Sequence, residues 1–240
     1  MLVAENLITS SQRTKFSMFR KILDSPNYTQ GLTRLREEML KLYQLTSKQV
    51  EYSVSALMKG DIDLCAQVIA ADEKTDDAEM RIAQLGFQLL SDHQPKGRDL
   101  RMIIGSMNVA RTLERLADHS TQVAKRSRKI LREGRPSEAN LIEPVYSLAM
   151  QQLNLAGIAF FDKNVSTAER LAREDKALDK LHKRLVKSLS RMVEERQEGV
   201  AGLLHLIFVS RALERIGDLS VKIAEEVVFI ELAEDVRHQN

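Results

Sequence analysis

Two copies of a short acidic pattern stand 100 residues apart in this chain. Glu114 and Asp118 lie four residues apart in the segment LERLADHS, and Glu214 and Asp218 repeat both residue types and spacing in LERIGDLS. On a helix this spacing places the two carboxylates on one face. Carboxylates crowded at a half-buried helix edge repel each other unless a positive group lies between them. A cation with oxygen ligands or an arginine side chain would supply that charge.

The repeat extends beyond these four acids. Residues 109–124 and 209–224 share eight identities in sixteen positions. The preceding segments also correspond, since each carries three polar side chains at i, i+4 and i+7, on one face of a helix. These are Asp72, Asp76 and Glu79 in the first copy and Asp175, Asp179 and His182 in the second. Self-similarity at so long a period predicts duplicated structural units.

The composition predicts an all-α protein. Aromatic residues make up only 5% of the 240 residues, Trp is absent, and four Pro and ten Gly are too few for a many-turned β fold. Breaks in helical periodicity predict six long helices. We expect two tandem, pseudo-symmetric three-helix bundles, at 31–134 and 141–232, joined by REGRPSEANLIEP. Residues 1–30 would be an N-terminal extension that could hold a short helix.

The predicted helices have these bounds. The first bundle should contain a helix that follows Gly31 and ends near Lys59, one from Asp61 to Leu90, and one from a cap at Asp99 to Arg132. The second bundle should contain helices at 141–162, 165–195 and 199–232. A buried stripe should run along the helix of the first acidic pattern, at Val109, Leu113, Leu116, Ser120 and Val123.

Arginines beside the acids offer a simpler interpretation. Each acid of the two patterns has an arginine three residues before it, the spacing of ordinary helix-surface salt bridges worth about 0.2–0.5 kcal/mol each. These arginines are Arg111, Arg115, Arg211 and Arg215. From the residues alone, metal binding and plain salt bridges both remain open.

Charge and cysteine usage narrow the function classes. The net charge of +2 is too small to indicate nucleic-acid binding, and the lone Cys65 excludes a disulfide framework. The opening residues lack a secretory signal, and polar residues interrupt the uncharged run 144–161, which we expect to be a buried helix. Neither a nucleophile elbow nor a Gly-rich phosphate loop is present. These features predict a cytoplasmic protein that is not an enzyme.

Several segments together resemble the PhoU family of phosphate-signalling regulators. The paired signatures VSRALERIGDLSVKIAEEVVF and ARTLERLADHSTQVAKR are similar to those of the family, as are QPKGRDLR, VIAADEKTDDAE and LAREDKALDKL. The resemblance covers roughly residues 32–232. It implies a pair of three-helix bundles whose acidic motifs bind divalent or trivalent metal ions (iron, zinc, manganese or magnesium) on an exposed face.

Carried over position by position, the resemblance implies eight metal ligands. They are Asp72, Asp76, Glu114, Asp118, Asp175, Asp179, Glu214 and Asp218. Three positions depart from the family pattern: Ala117 stands where glycine is usual, Leu219 where His is frequent, and His182 where an acid is commoner. The arginines at 111, 115, 211 and 215 would meet acidic groups of a partner.

The resemblance also implies a function. Such proteins act as cytoplasmic adaptors between a phosphate ABC transporter and a membrane sensor histidine kinase, and they hold the phosphate-starvation response off when phosphate is plentiful. The chain would reach the membrane only through these partners and would form a homodimer. An accessory protein of a secondary phosphate transporter, a carboxylate-bundle metalloenzyme and a plain helical scaffold remain as alternatives.

Overall fold

The computed structural model describes residues 26–174 and 176–234, and helices make up nearly all of this part of the chain. The helices are α1 (Pro26–Lys59), α2 (Ile62–Ala70), α3 (Asp72–His93), α4 (Gly97–Glu133), α5 (Glu143–Phe161), α6 (Val165–Glu174), α7 (Lys176–Glu195) and α8 (Val200–Leu232). A 3₁₀ helix, Ser137–Ile142, joins α4 to α5. The described ranges contain no strand, so the all-α prediction is confirmed. The predicted short helix before residue 26 lies outside the described residues.

Two three-helix bundles form the fold, as the duplication predicts. In the first, α1 and the consecutive α2 and α3 pack against α4; in the second, α5 and the consecutive α6 and α7 pack against α8. The longest helices, α4 and α8, also pack on each other and join the bundles. One continuous hydrophobic cluster includes buried side chains from both halves.

Helices α4 and α8 run antiparallel. Near the start of α4, Arg101 Nε donates to the backbone oxygen of Ile230 at 3.0 Å, close to the end of α8. Near the end of α4, Arg126 Nη1 lies 3.4 Å from His205 Nδ1, close to the start of α8. Residues 100 apart in sequence are therefore related by a pseudo-two-fold axis that passes between the middles of the two helices.

The second predicted helix is in fact two. Asp61 caps α2, accepting a hydrogen bond from the backbone N–H of Leu64 at 2.8 Å. The chain turns at Ala71, whose N–H bonds the oxygens of Gln67 and Val68, and α3 then begins at Asp72. Neither glycine nor proline marks this turn, so helical periodicity alone could not locate it.

Two other predicted helix starts were wrong. Pro26, the first described residue, is already helical, so the first helix extends further toward the N-terminus than the predicted start after Gly31. The third begins at Gly97, with Lys96 at the cap position. Asp99, the predicted cap, instead accepts a hydrogen bond from the Tyr28 hydroxyl at 3.2 Å and so links α4 to α1.

The predicted buried stripe on α4 is confirmed. All five of its side chains, at positions 109, 113, 116, 120 and 123, are buried. This orientation places Glu114 and Asp118 at the edge of the buried face. No helix in the described ranges has the length and apolar character needed to cross a lipid bilayer.

Candidate metal-binding and partner-binding face

Four carboxylates from α3 and α4 form a group that we name the first acidic cluster: Asp72, Asp76, Glu114 and Asp118. Asp72 and Glu114 are half-buried, whereas Asp76 and Asp118 are exposed. The buried Thr121 hydroxyl of α4 donates to Asp72 Oδ1 at 3.1 Å, which fixes the start of α3 against α4. The packing of these helices thus brings both acidic pairs of the first half together.

The acids of the first acidic cluster repel one another. Burial, followed by the negative charges of Asp72 and Asp118, raises the pKa of Asp76 above its ordinary value. Burial and the charges of Asp118 and Asp76 likewise raise the pKa of Glu114. Among the described residues, no Lys, Arg or His nitrogen lies within ion-pair distance of these four acids. The described part of the chain therefore does not neutralise the negative charge of this cluster by direct pairing.

In the second half, positive side chains of the protein pair with the acids. Its described acids are Asp179 on α7 and Glu214 and Asp218 on α8, and we name these three the second acidic cluster; Asp175 lies outside the described residues. Lys183 Nζ lies 2.7 Å from Asp179 Oδ2, and Arg215 lies 3.1 Å from Asp218 and 3.6 Å from Glu214. Burial and the charge of Asp218 raise the pKa of Glu214, but Arg215 acts in the opposite direction.

His182 lies beside the second acidic cluster. Its Nδ1 is 2.8 Å from the buried hydroxyl of Ser210, so this nitrogen is already engaged in a contact between α7 and α8. Burial lowers the pKa of the imidazole, which favours the neutral form. The contact with Ser210 therefore fixes the orientation of a neutral imidazole ring beside the second acidic cluster.

The donor chemistry of the first acidic cluster fits a metal ion, but its side chains are not pre-assembled around one. Within the described residues, no three His, Cys, Asp or Glu side chains converge on a common metal position. Carboxylates without a cation between them move apart because they repel each other. Hard-oxygen donors on two packed helices are suited to Mg²⁺, Mn²⁺ or iron once such an ion is bound.

The predicted arginine pairs form only in part. Arg215 pairs with Asp218 as the spacing suggests. Arg111, Arg115 and Arg211 have no carboxylate within ion-pair distance among the described residues. Instead, these side chains border depressions between α4 and α8.

Sequence reasoning missed four further residues of this face. His119, Lys222 and Phe208 border the same depressions, and Lys183 neutralises Asp179. Lys183 could have been found, because a lysine four residues after an aspartate is a standard helix pair. The other three could not, because only the contact between α4 and α8 assigns them to one surface.

Gly217 in the second signature gives a direct stability prediction. A Cβ at this position would clash with Leu178 Cδ2 and Gln152 Oε1, whereas Ala117 fills the equivalent place in the first half and is buried. We expect Gly217→Ala to lower the free energy of unfolding by about 1–3 kcal/mol, because the buried neighbours must shift. Urea denaturation measures this change.

Gly202→Ala is the matched control on the same helix. Its added Cβ would meet only Pro136, at an ordinary contact distance of 3.4 Å. Since alanine is the better helix former, we expect this variant to be neutral or more stable by about 0.5–1 kcal/mol. Equal unfolding free energies for the two variants would contradict the tight packing at Gly217.

Comparison with known proteins agrees with this architecture. The PhoU domain family matches residues 39–127 and 142–227, one match in each bundle. The phosphate-specific transport system accessory protein PhoU homolog of Pseudomonas aeruginosa is 30% identical over 215 residues, covering 89% of this chain and 89% of that protein. The homolog of Pseudomonas putida is 31% identical over 219 residues, covering 89% and 84%.

Solved structures show the same fold. The crystal structure of PhoU from Pseudomonas aeruginosa superposes with a TM-score of 0.83 at 29% identity, covering 86% of this chain and 100% of that one. The phosphate transport system regulatory protein PhoU from Streptococcus pneumoniae gives a TM-score of 0.80 at 24% identity, covering 87% and 99%, and supports the fold alone. With both of its bundles matched, the chain belongs to the PhoU family.

Proposed function

We propose that this protein is an accessory regulator of phosphate uptake and phosphate-starvation signalling that works by binding partners rather than by catalysis. The observation that carries the proposal is the family match to both bundles, together with relatives that are named phosphate-specific transport system accessory proteins. A rigid helical face with charged clusters suits recognition of other proteins.

The finer form of the proposal makes the chain an adaptor. One partner is a phosphate ABC transporter and the other is a membrane sensor histidine kinase, which the adaptor holds in its repressing state when phosphate is plentiful. The face formed by α3, α4, α8 and α7 supports this role, because it combines exposed arginines with acidic clusters on packed helices. Such a face offers charges of both signs to partner proteins.

We also propose that the first acidic cluster binds a metal ion through Asp72, Asp76, Glu114 and Asp118. The uncompensated repulsion among these acids supports the proposal. A bound cation would supply the charge that joins α3 to α4 and would stiffen this edge. In the second half, Lys183 and Arg215 supply positive charge of the protein's own, so we expect weaker metal binding there.

Complementation tests the proposed function. In a bacterium that lacks its own PhoU protein, a phosphate-starvation reporter should be active even in high phosphate. Expression of this chain should return the reporter to its repressed level, and affinity capture from membranes should recover the phosphate ABC transporter. A reporter that stays active although the folded protein is present would contradict the proposal. Capture of a secondary phosphate transporter alone would contradict the adaptor role.

A further inference from the structure

A basic groove runs along the contact between α4 and α8. Its larger part has a volume of about 650 Å³ and is bordered by Arg111, Arg115, His119, Arg215 and Lys222, and also by the acids Asp218, Glu225 and Glu226. A smaller part of about 160 Å³ continues past His119 and is bordered by Arg126, Phe208, Arg211 and Arg215. We name the two parts together the arginine groove.

Most of the positive charge in the arginine groove has no partner within the described chain. Arg215 pairs with Asp218, and Arg126 lies over the ring of Phe208, 4.3 Å from its centroid. The other cations, by contrast, have no carboxylate within ion-pair distance among the described residues; they are Arg111, Arg115, Arg211 and Lys222. The three acids of the groove are already engaged, since Asp218 pairs with Arg215, Glu226 accepts from Asn108, and Glu225 is not free. The four cations without a carboxylate partner repel each other and favour an anionic occupant.

The length of the groove indicates which kind of anion fits. From Asn108 to Arg126 the helix axis of α4 rises about 27 Å, and groove-lining residues occur along this whole distance. A single small oxyanion would contact only one or two of these arginines. An elongated ligand with carboxylates one helical turn apart would match Arg111 and Arg115, which are themselves one turn apart on an exposed edge.

We propose that the arginine groove binds an acidic helical segment of a partner protein. This inference deepens the proposed function, because it gives the chemistry of the surface by which a partner is recognised. The chain's own first 25 residues are an unsuitable occupant, since Arg13, Lys15, Arg20 and Lys21 outnumber Glu5 and Asp24. Among the residues that line the groove, Phe208 is the single Phe, Tyr or Trp. One such ring does not provide the stacking platform expected for single-stranded nucleic acid.

The groove also gives the partner segment a direction. The pseudo-two-fold axis relates Asn108 to Phe208 and His119 to Leu219, so the two ends differ in chemistry. At one end Asn108 Nδ2 donates to Glu226 at 3.1 Å, whereas at the other the Phe208 side chain is 49% exposed. A segment with its acids opposite the central arginines and an apolar residue opposite Phe208 fits in one orientation.

A direct binding experiment tests the inference. The probe is a fluorescein-labelled synthetic helix of about 20 residues, which spans about 30 Å, with glutamates one turn apart on one face and a leucine near one end. Fluorescence anisotropy measures its affinity for the full-length protein. We expect Arg111→Glu/Arg115→Glu to weaken binding at least about tenfold, because two attractive charges become repulsive. The same peptide with glutamine in place of glutamate should bind weakly to every protein.

Arg128→Glu/Arg132→Glu is the matched control. It changes the same residue type at the same spacing on the same helix, but Arg128 faces α2, where its charge acts on Cys65. We expect this variant to bind the glutamate peptide within about twofold of wild type. Circular dichroism should show native helicity for both variants, since the exposed Arg111 and Arg115 side chains have no pairing to lose.

Four outcomes would overturn the inference. In the first two, the wild type does not bind the glutamate peptide, or Arg111→Glu/Arg115→Glu binds it as tightly as the wild type does. In the third, inorganic phosphate displaces the peptide but sulfate at equal ionic strength does not. In the fourth, the protein binds single-stranded RNA in preference to the peptide. Any of these, with complementation intact, removes the acidic-helix inference and leaves the proposed function standing. If complementation fails although the peptide still binds, the proposed function is contradicted and the acidic-helix inference stands.

Discussion

We expect saturation with Mn²⁺ to raise the thermal unfolding temperature of the wild-type protein, and Glu114→Gln/Asp118→Asn to remove most of this rise. A ligand that binds only the folded state at 100 times its dissociation constant stabilises that state by about 2.7 kcal/mol. For a chain of this size this corresponds to about 5–10 °C. The double variant keeps the shape of the side chains but loses two charges of the first acidic cluster, so little metal should bind. Differential scanning calorimetry with and without Mn²⁺ measures the shift, and elemental analysis measures bound metal.

The equivalent variant in the second half is the control. Glu214→Gln/Asp218→Asn should leave most of the Mn²⁺-dependent rise in place, because Arg215 and Lys183 already compensate the second acidic cluster. Without metal, Glu114→Gln/Asp118→Asn should be at least as stable as wild type, since it removes the repulsion that raises the pKa of Glu114. An equal Mn²⁺ response in wild type and both variants would rule out the first acidic cluster as a metal site.

A single core truncation on α8 should destabilise the whole molecule. Leu213 is fully buried (0% exposed) and belongs to the continuous cluster that includes both bundles. We expect Leu213→Ala to lower the free energy of unfolding by about 2–5 kcal/mol, because apolar contacts are lost and a cavity remains. The unfolding temperature should fall by about 4–20 °C. Because α8 packs along α4, we expect one cooperative transition, with equal calorimetric and van't Hoff enthalpies.

Leu204→Ala on the same helix is the control for this prediction. Its side chain is 43% exposed, so the same truncation should change the free energy of unfolding by no more than about 0.5 kcal/mol. Two separate transitions in calorimetry, with Leu213→Ala shifting only one, would show that the bundles unfold independently. That result would contradict the view that the contact of α4 with α8 couples them.

Local pattern was sufficient for much of the architecture. The stripe from Val109 to Val123 lies on the buried face where its spacing predicts, because a helix repeats every 3.6 residues whatever it packs against. Helical periodicity did not predict the turn at Ala71, because the apolar pattern continues through it. The role of Asp99 was also predicted wrongly. Although it is well placed in sequence to cap a helix, it accepts a hydrogen bond from Tyr28, which is distant in sequence.

The sequence by itself determined the helical class and the duplication, because composition, periodicity and internal repetition do not depend on which helices pack together. Only the tertiary structure decided how the two halves differ. The two acidic patterns have the same residue types at the same spacing. Nevertheless, Arg215 contacts both acids of its pattern, whereas Arg115 contacts neither acid of its own. Likewise, the antiparallel packing of α4 on α8 brings Arg111 and Lys222 to one groove. Electrostatic pairing depends on distances between side chains, and those distances are fixed when helices pack, not when they form.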